Sequence, residues 1–368
     1  MAGIDKSNCL DPHSEAILEE FREQRPFLEE TAAKMVSDVR KMLNENGIIV
    51  AALESRVKSE GSLIGKLRLK GQKYSSLGDL TDIIGIRVIT FYVDDVDKVA
   101  SGIDRMYNID WENSVDKRKI LEINSFGYLS LHYICYVPQD AYNGPEPREK
   151  GKMRFEVQMR TVLQHAWANM NHDTGYKSGV EIPREYMRTM NRLAGMLELV
   201  DDEFSRIRNE LADYRRRVQR LVESGNLSEV LLDGDSFRSY LTIRPFDALN
   251  RRIASINQAE IHQVDLSVFL PLFKMMQFNT LGDIDDMVKK YSEAAYQIAC
   301  FQIGLTDIDI LSSSVAPQNL CAAYILKNGG GRAGIRMMLD TLNGPSASND
   351  IMAGFLLDQA KNLPFMNQ

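Results

Sequence analysis

The sequence predicts an α+β fold: a sheet domain over residues 46–180, a long heptad-patterned helix, and a mainly α-helical C-terminal region. Three observations lead there. Strand-like and helix-like periods alternate from 46 to 180, the pattern of a mixed sheet layered with helices. After Pro183 apolar residues recur in alternating steps of four and three from Tyr186 to Leu221. Beyond residue 244 helical periods continue between short loops.

Taken in order, residues 1–45 read as an N-terminal helical segment, with Leu28, Ala32, Met35, Val39 and Met42 on one face. Pro26 is expected to kink this helix or begin a new one, and Gly47 to close it. A short strand is expected around Ile48 to Leu53, then a basic helix and turn over 59–73. IIGIRVITFYV, 83–93, is β-branched and apolar, as in a central strand. A helix over 95–106 and a strand over 129–138 follow. DAYNGPEPREKGK, 140–152, reads as a loop, and FEVQMR, 155–160, alternates apolar and polar as a half-buried strand does. The same stretch then turns helical, with His165, Asn169 and His172 on one face. The seam within 181–224 suits packing on the N-terminal helix as a bundle, or a homo-oligomeric coiled coil. Residues 225–243 read as a linker, and 244–368 as helical with loops at 312–318 and at Gly329-Gly330-Gly331, where a turn is expected.

Composition narrows the function. A net charge of −7 argues against broad nucleic-acid coating and leaves room for a local basic cleft. The cysteines, Cys9, Cys135, Cys300 and Cys321, form no CxxC pair, so zinc binding and a disulfide framework are not expected. No apolar h-region and no membrane-length apolar run are read, so a cytoplasmic protein without membrane spans is expected.

Four clusters could carry chemistry. In ESRVKSEGSLIGKLRLKGQKY, Arg56 and Lys58 share a strand face and Lys66, Lys70 and Lys73 a helix face, which suits phosphate binding or a solvated basic face. In DLTDIIGIRVI, Asp82 stands at a strand mouth, Gly85 permits close backbone approach, and Arg87 lies inside the strand. Asp82 there suits Mg²⁺, a helix cap, or a pair with Arg87. In FGYLSLHY, Tyr128 precedes a strand on which Ser130 and His132 alternate, and a tyrosine at such an edge can stack on a base. In the last, Glu156, Gln158 and Arg160 share a strand face. Two acids sharing a metal, flanked by Arg and Lys, are the equipment of nucleotidyl or pyrophosphoryl transfer.

DLTDIIGIRVITFYVDDVDKV, FGYLSLHY and FEVQMRTVLQHAWANMNHDTGYK together resemble the synthetase domain of the RelA/SpoT proteins, the (p)ppGpp alarmone synthetases, over roughly 46–180. The resemblance implies a mixed five-stranded nucleotidyltransferase-like sheet in a small, single-function synthetase with an added C-terminal region. It implies a GTP pyrophosphokinase that takes pyrophosphate from ATP onto the 3′-hydroxyl of GTP or GDP, with Mg²⁺. By the same resemblance Asp82 is the metal ligand and Glu156 the catalytic acid that shares metal or activates the hydroxyl. Arg56, Lys58, Ser62, Lys66 and Arg87 would handle ATP and its phosphates. Tyr128 would stack on the acceptor guanine, and His132, Gln158, Arg160 and Lys177 surround the acceptor; His172 matches a helix histidine. The chain departs from the family pattern at Leu129, at Ile123–Phe126, and at Asn171, where small synthetases carry glutamate. Relatives that use adenine nucleotides or the tRNA 3′ end supply the alternative acceptors, and a degraded nucleotide-binding regulator the non-enzyme reading.

Overall fold

The computed structural model describes residues 10–120, 130–145, 153–175, 184–304 and 306–366. The chain divides into two compact units, residues 1–208 and 209–368.

The first unit opens with helix α1 (Pro12–Glu45), which Asp11 caps by accepting from the His13 and Ser14 amides. The helix runs through Pro26 without ending there, against the expectation of a break or restart. Gly47, at φ 63°, turns the chain out of it. Then come β1 (Val50–Val57), α2 (Glu60–Lys70), β2 (Ile84–Thr90), α3 (Val93–Met106), β3 (Val115–Asp116), α4 (Lys117–Ile120), β4 (Leu131–Tyr136), β5 (Arg154–Thr161), α5 (Val162–Gly175) and α6 (Arg184–Glu223). The first strand lies later than its sequence pattern suggested, because the alternation continues through Arg56 to Val57.

The sheet is mixed and five-stranded, in the order β1-β2-β5-β4-β3. Only β2 and β5 run parallel; β1–β2, β4–β5 and β3–β4 are antiparallel. One face is apolar. Ile84, Ile86 and Val88 of β2, with Phe155, Val157 and Met159 of β5, share a core with Leu28, Met35 and Val39 of α1 and Val96, Val99 and Ile103 of α3. The period of two then turns the alternate residues of the same strands to the other face.

Helix α6 reverses the expected polarity of its faces. Its buried positions include Ala194, Asp201 and Ser205, and its polar side chains make the contacts. Asp201 Oδ2 accepts from Thr161 Oγ1 at 2.5 Å, Ser205 Oγ accepts from the Val93 amide at 3.2 Å, and Arg208 pairs with Asp95 at 2.5 Å. The apolar seam stays exposed as far as Leu211: Tyr186, Leu193, Val200, Phe204, Ile207 and Leu211 are 40–59% accessible, whereas Val218 is buried and Tyr214 and Leu221 pack on the second core. The bundle with α1 is therefore not how this seam is used.

The second unit holds the C-terminal part of α6, α7 (Gly234–Thr242), α8 (Asp247–Ala254), β6 (Glu260–His262), α9 (Leu270–Met275), α10 (Leu281–Ile303), β7 (Ile310–Ser312), α11 (Val315–Lys327), α12 (Gly331–Asn343) and α13 (Ala347–Ala360). The stretch 225–243, expected as a linker, is built into this core instead: Leu227, Val230, Leu232, Phe237 and Tyr240 are buried with Val218 and Val222. Its Gly and Asp residues serve as turn and cap, since Asp233 accepts from the Asp235 and Ser236 amides. The expected loop at 312–318 is shorter than read, and β6 and β7 form a parallel pair that sequence period did not reveal. The glycine run at 329–331 is a turn between α11 and α12, with positive φ at Gly329 and Gly331. Cys135 and Cys321 are free thiols buried in the two cores, and Cys300 is also free. Among the described residues no helix is long and apolar enough to cross a membrane.

Candidate active site

The polar face of the sheet gathers the charged strand residues. Register places Arg56 of β1 opposite Gly85 of β2, and Gly85 opposite Glu156 of β5. One pleat further along, Glu54, Arg87, Gln158 and His132 form a row across four strands. At Gly85 a Cβ would lie 3.6 Å from the Arg56 side chain, so the missing side chain leaves a shallow trough between Arg56 and Glu156.

Glu156 is held from two sides. His132 Nδ1 lies 2.7 Å from its Oε1, and Gln158 Nε2 donates to its Oε2 at 2.7 Å. Burial pushes the Glu156 carboxyl up, but the His132 and Gln158 hydrogen bonds outweigh it and leave the pKa below the usual carboxylate value. The Asp82 carboxylate is near enough that its charge also pushes Glu156 up.

Asp82 sits at the entry to β2 between two ammonium groups. Lys58 Nζ donates to Oδ2 at 2.6 Å and Lys66 Nζ to Oδ1 at 2.7 Å. Burial opposes ionisation here too, and the two lysines overcome it, so the acid is held below its ordinary value. Lys66 also lies over the Tyr74 ring, 5.5 Å from its centre. Arg87 Nη1 pairs with Glu54 at 3.3 Å and its Nε reaches Gln158 at 3.5 Å. A cavity of about 30 Å³ opens among Glu54, Arg56, Gly85, Arg87 and Gln158. It is far smaller than an ordinary small-molecule pocket.

Residues 55–181 match the model of a family described as the region found in RelA / SpoT proteins. The chain is 27% identical over 166 residues to the GTP pyrophosphokinase YjbM of Bacillus subtilis (strain 168), across 45% of this chain and 75% of that protein. It is 26% identical over 161 residues to the GTP pyrophosphokinase YwaC of the same organism, across 43% and 73%. Among solved structures it is similar to the small alarmone synthetase 1 from Bacillus subtilis, with 22% identity and a TM-score of 0.44 over 54% of this chain and 99% of that one. It is similar also to that synthetase bound to its product pppGpp, with 23% identity and a TM-score of 0.43 over 52% and 96%.

Within the matched stretch the structure brings together Arg56, Lys58, Lys66, Asp82, Arg87, His132, Glu156 and Gln158 through the sheet register and the hydrogen bonds above. Asp82 is not the mate of Arg87; its partners are the lysines, and Glu54 takes Arg87. Lys73 falls outside α2, in a following 3-10 turn, so it does not share a helical face with Lys66 and Lys70. Ser62 is exposed in the first turn of α2, where its amide donates to the Ser59 cap and the two hydroxyls meet at 2.8 Å. Arg160 is buried, at 3% exposure, although its strand parity matches Glu156 and Gln158. Asn171 is exposed on α5, and His165 bonds Asn169 across one helical turn at 3.0 Å. Tyr128 and Lys177 lie outside the described residues, as does the side chain of His172. Sequence reading missed Glu54. Its signal was present, since it stands two residues before Arg56 on one strand and so shares a face with it.

The donor set also bears on a metal. Among the described residues no group of three or more His, Cys, Asp or Glu could hold an ion by itself. Mg²⁺ is commonly held by one or two carboxylates completed by substrate phosphates. Asp82 and Glu156 fit that pattern, as hard oxygen donors close enough to feel each other's charge.

Proposed function

We propose that the chain is a GTP pyrophosphokinase that transfers the β,γ-pyrophosphoryl group of ATP to the 3′-hydroxyl of GTP or GDP, making (p)ppGpp. The observation that carries this is the pairing, inside a RelA/SpoT region, of two ionised carboxylates with a ring of cations on one sheet face. In this reading Lys58, Lys66, Arg56 and Arg87 neutralise the triphosphate, and Ser62 adds its hydroxyl. Glu156, kept ionised and aimed by His132 and Gln158, accepts the proton of the acceptor hydroxyl. The hydroxyl oxygen bonds to the β-phosphorus, the bond from that phosphorus to the α,β-bridging oxygen breaks, and AMP leaves with the electron pair. Asp82 and Glu156 would hold Mg²⁺, which supplies positive charge to the transferring group when bound. Tyr128 stacks on the acceptor base, and Arg160 and Lys177 complete the acceptor side. Mixed cation and carboxylate charge on a chain of net charge −7 favours a mononucleotide acceptor over tRNA. We infer also that the exposed seam of α6 joins copies of this chain.

Radiolabelled ATP offered with GDP, GTP, ATP or tRNA in parallel tests the reading. Labelled pppGpp or ppGpp is expected, and Glu156→Gln should lower the rate by at least about 100-fold, at the scale of a lost general base, with unchanged circular dichroism. Label on tRNA or an adenine nucleotide alone would replace the acceptor assignment. No labelled product with any acceptor would overturn the enzyme.

A further inference from the structure

Glu54 stands on the polar face of the sheet, and the chemistry above gives it no task beyond pairing with Arg87. The pairing of β1 with β2 is regular from Ala52 to Val57, so Glu54 and Arg56 share a face, and Lys58 continues the line just past the strand end. At about 3.3 Å per residue the line from Glu54 to Lys58 is about 13 Å long. β1 is an edge strand next to β2 alone, whereas Glu156 and His132 lie further across the sheet on β5 and β4. The Glu54 side chain is 55% exposed, and its Oε2 takes Arg87 Nη1 at 3.3 Å. Its Oε1 has no hydrogen-bond partner among the described residues. The same carboxylate borders the small cavity that Arg56, Gly85 and Arg87 also line.

These observations decide which part of a nucleotide Glu54 meets. A carboxylate repels phosphate, so the phosphates belong at the other end of the line, where Lys58 and Lys66 stand. A nucleotide laid along β1 from that end passes Arg56 with its sugar and brings its base to Glu54. An ionised carboxylate only accepts hydrogen bonds. The base edge it favours therefore carries an N–H, and an edge of acceptors alone is repelled. An ion pair as exposed as that of Glu54 and Arg87 adds little to stability, so support of the fold does not account for the acid. We propose that Glu54 selects the base of the donor nucleotide, its Oε1 accepting a hydrogen bond from the exocyclic amine of adenine. This rests on the reading of ATP as donor given above, and it adds a recognition residue which that reading lacks.

The test is calorimetric titration of the full chain, with Mg²⁺ and without acceptor, using ATP and purine riboside 5′-triphosphate, which differs from ATP only in lacking the amine. Wild type is expected to bind ATP at least about tenfold more tightly than the analogue, the low end for a hydrogen bond to a charged group. Glu54→Ala should bind the two alike. Glu54→Gln, which keeps an accepting oxygen and loses the charge, should retain a preference of about 2- to 13-fold, the range of a neutral hydrogen bond. It also decides the matter should Glu54→Ala fail to fold. A Glu54 that merely holds Arg87 in place would weaken both ligands equally when replaced and leave their ratio at the wild-type value, and that result overturns the proposal. Equal binding of the two by wild type overturns it as well, and leaves the function standing if label still passes from ATP to GDP or GTP. Binding of neither ligand by wild type overturns this inference together with ATP as donor.

Discussion

The carboxylate of Asp82 keeps two ammonium groups apart. Lys58 and Lys66, with side chains only 14% and 26% exposed, approach it from the end of β1 and from α2. Removing that charge leaves two half-buried cations facing each other, so Asp82→Asn should cost stability as well as transfer. A loss of about 1–3 kcal/mol is expected, the scale of a broken charged hydrogen-bond network, read from denaturant midpoints. The sign with pH follows from its depressed pKa. This contribution is fully present above the ordinary carboxylate value near 3.8 and disappears as pH falls through the lower value in the fold. Wild type should therefore lose stability more steeply than Asp82→Asn below about pH 4. Equal acid profiles would remove Asp82 from the lysine clamp. Glu156 differs in that a histidine and an amide hold it; Glu156→Gln keeps the size of the side chain, removes the charge and turns one accepting oxygen into a donating amide, which requires the His132 Nδ1 side to become the acceptor or the Gln158 amide to turn over.

At the scale of the element, α6 carries two opposed faces with opposed consequences. On the buried face, burial raises the Asp201 carboxyl to about 6, despite the Thr161 hydroxyl that donates to it. A raised acid stabilises the fold below its unfolded value and loses that contribution as pH rises through 6. By neutral pH the ionised form costs about 3 kcal/mol. Asp201→Asn, still able to accept from Thr161, should melt roughly 6–12 °C higher than wild type at pH 7.5 and close to it at pH 4. A variant that melts lower at both pH values would mean that the carboxylate is a required partner. On the exposed face the seam should join copies of the chain. Phe204→Glu with Ile207→Glu is expected to convert a self-associating species to monomer in sedimentation velocity at micromolar concentration. A monomeric wild type would dismiss the coiled coil. Both faces show where sequence reading ends. The heptad spacing was legible because apolar residues declare their own period; what covers them was not, since period carries no partner. The polar strand face was legible for the same reason: Glu156 and Gln158 alternate with core residues. Asp82's partners were not, because Lys58 and Lys66 meet it only after β1 and α2 fold back. Strands of three residues, β6 and β7, are too short to show any period, and Pro26 gave a breaker signal that tertiary packing of Leu28, Met35 and Val39 overrode.

For the whole molecule, the two units each hold a core of their own. The division falls inside α6, between Arg208 and Asn209, and not in the stretch 225–243. A chain ending after residue 208 should fold cooperatively and retain measurable transfer. One ending after 224 should be less soluble, because Val218 and Val222 would lose the residues that bury them. Scanning calorimetry and product assays on both chains check this, and a 1–208 chain without a melting transition would show that the first core is incomplete alone. The sheet has a further consequence in the order of its construction. β5 is the last strand of the sheet to be synthesised, yet it lies between β2 and β4. Until it emerges from the ribosome, β2 and β4 each present an edge that waits for the same partner, and such edges invite pairing with other chains. The strand that closes this gap also delivers Glu156 to the polar face. A nascent chain is thus most prone to aggregate while its polar face still lacks Glu156, and a single insertion ends both conditions.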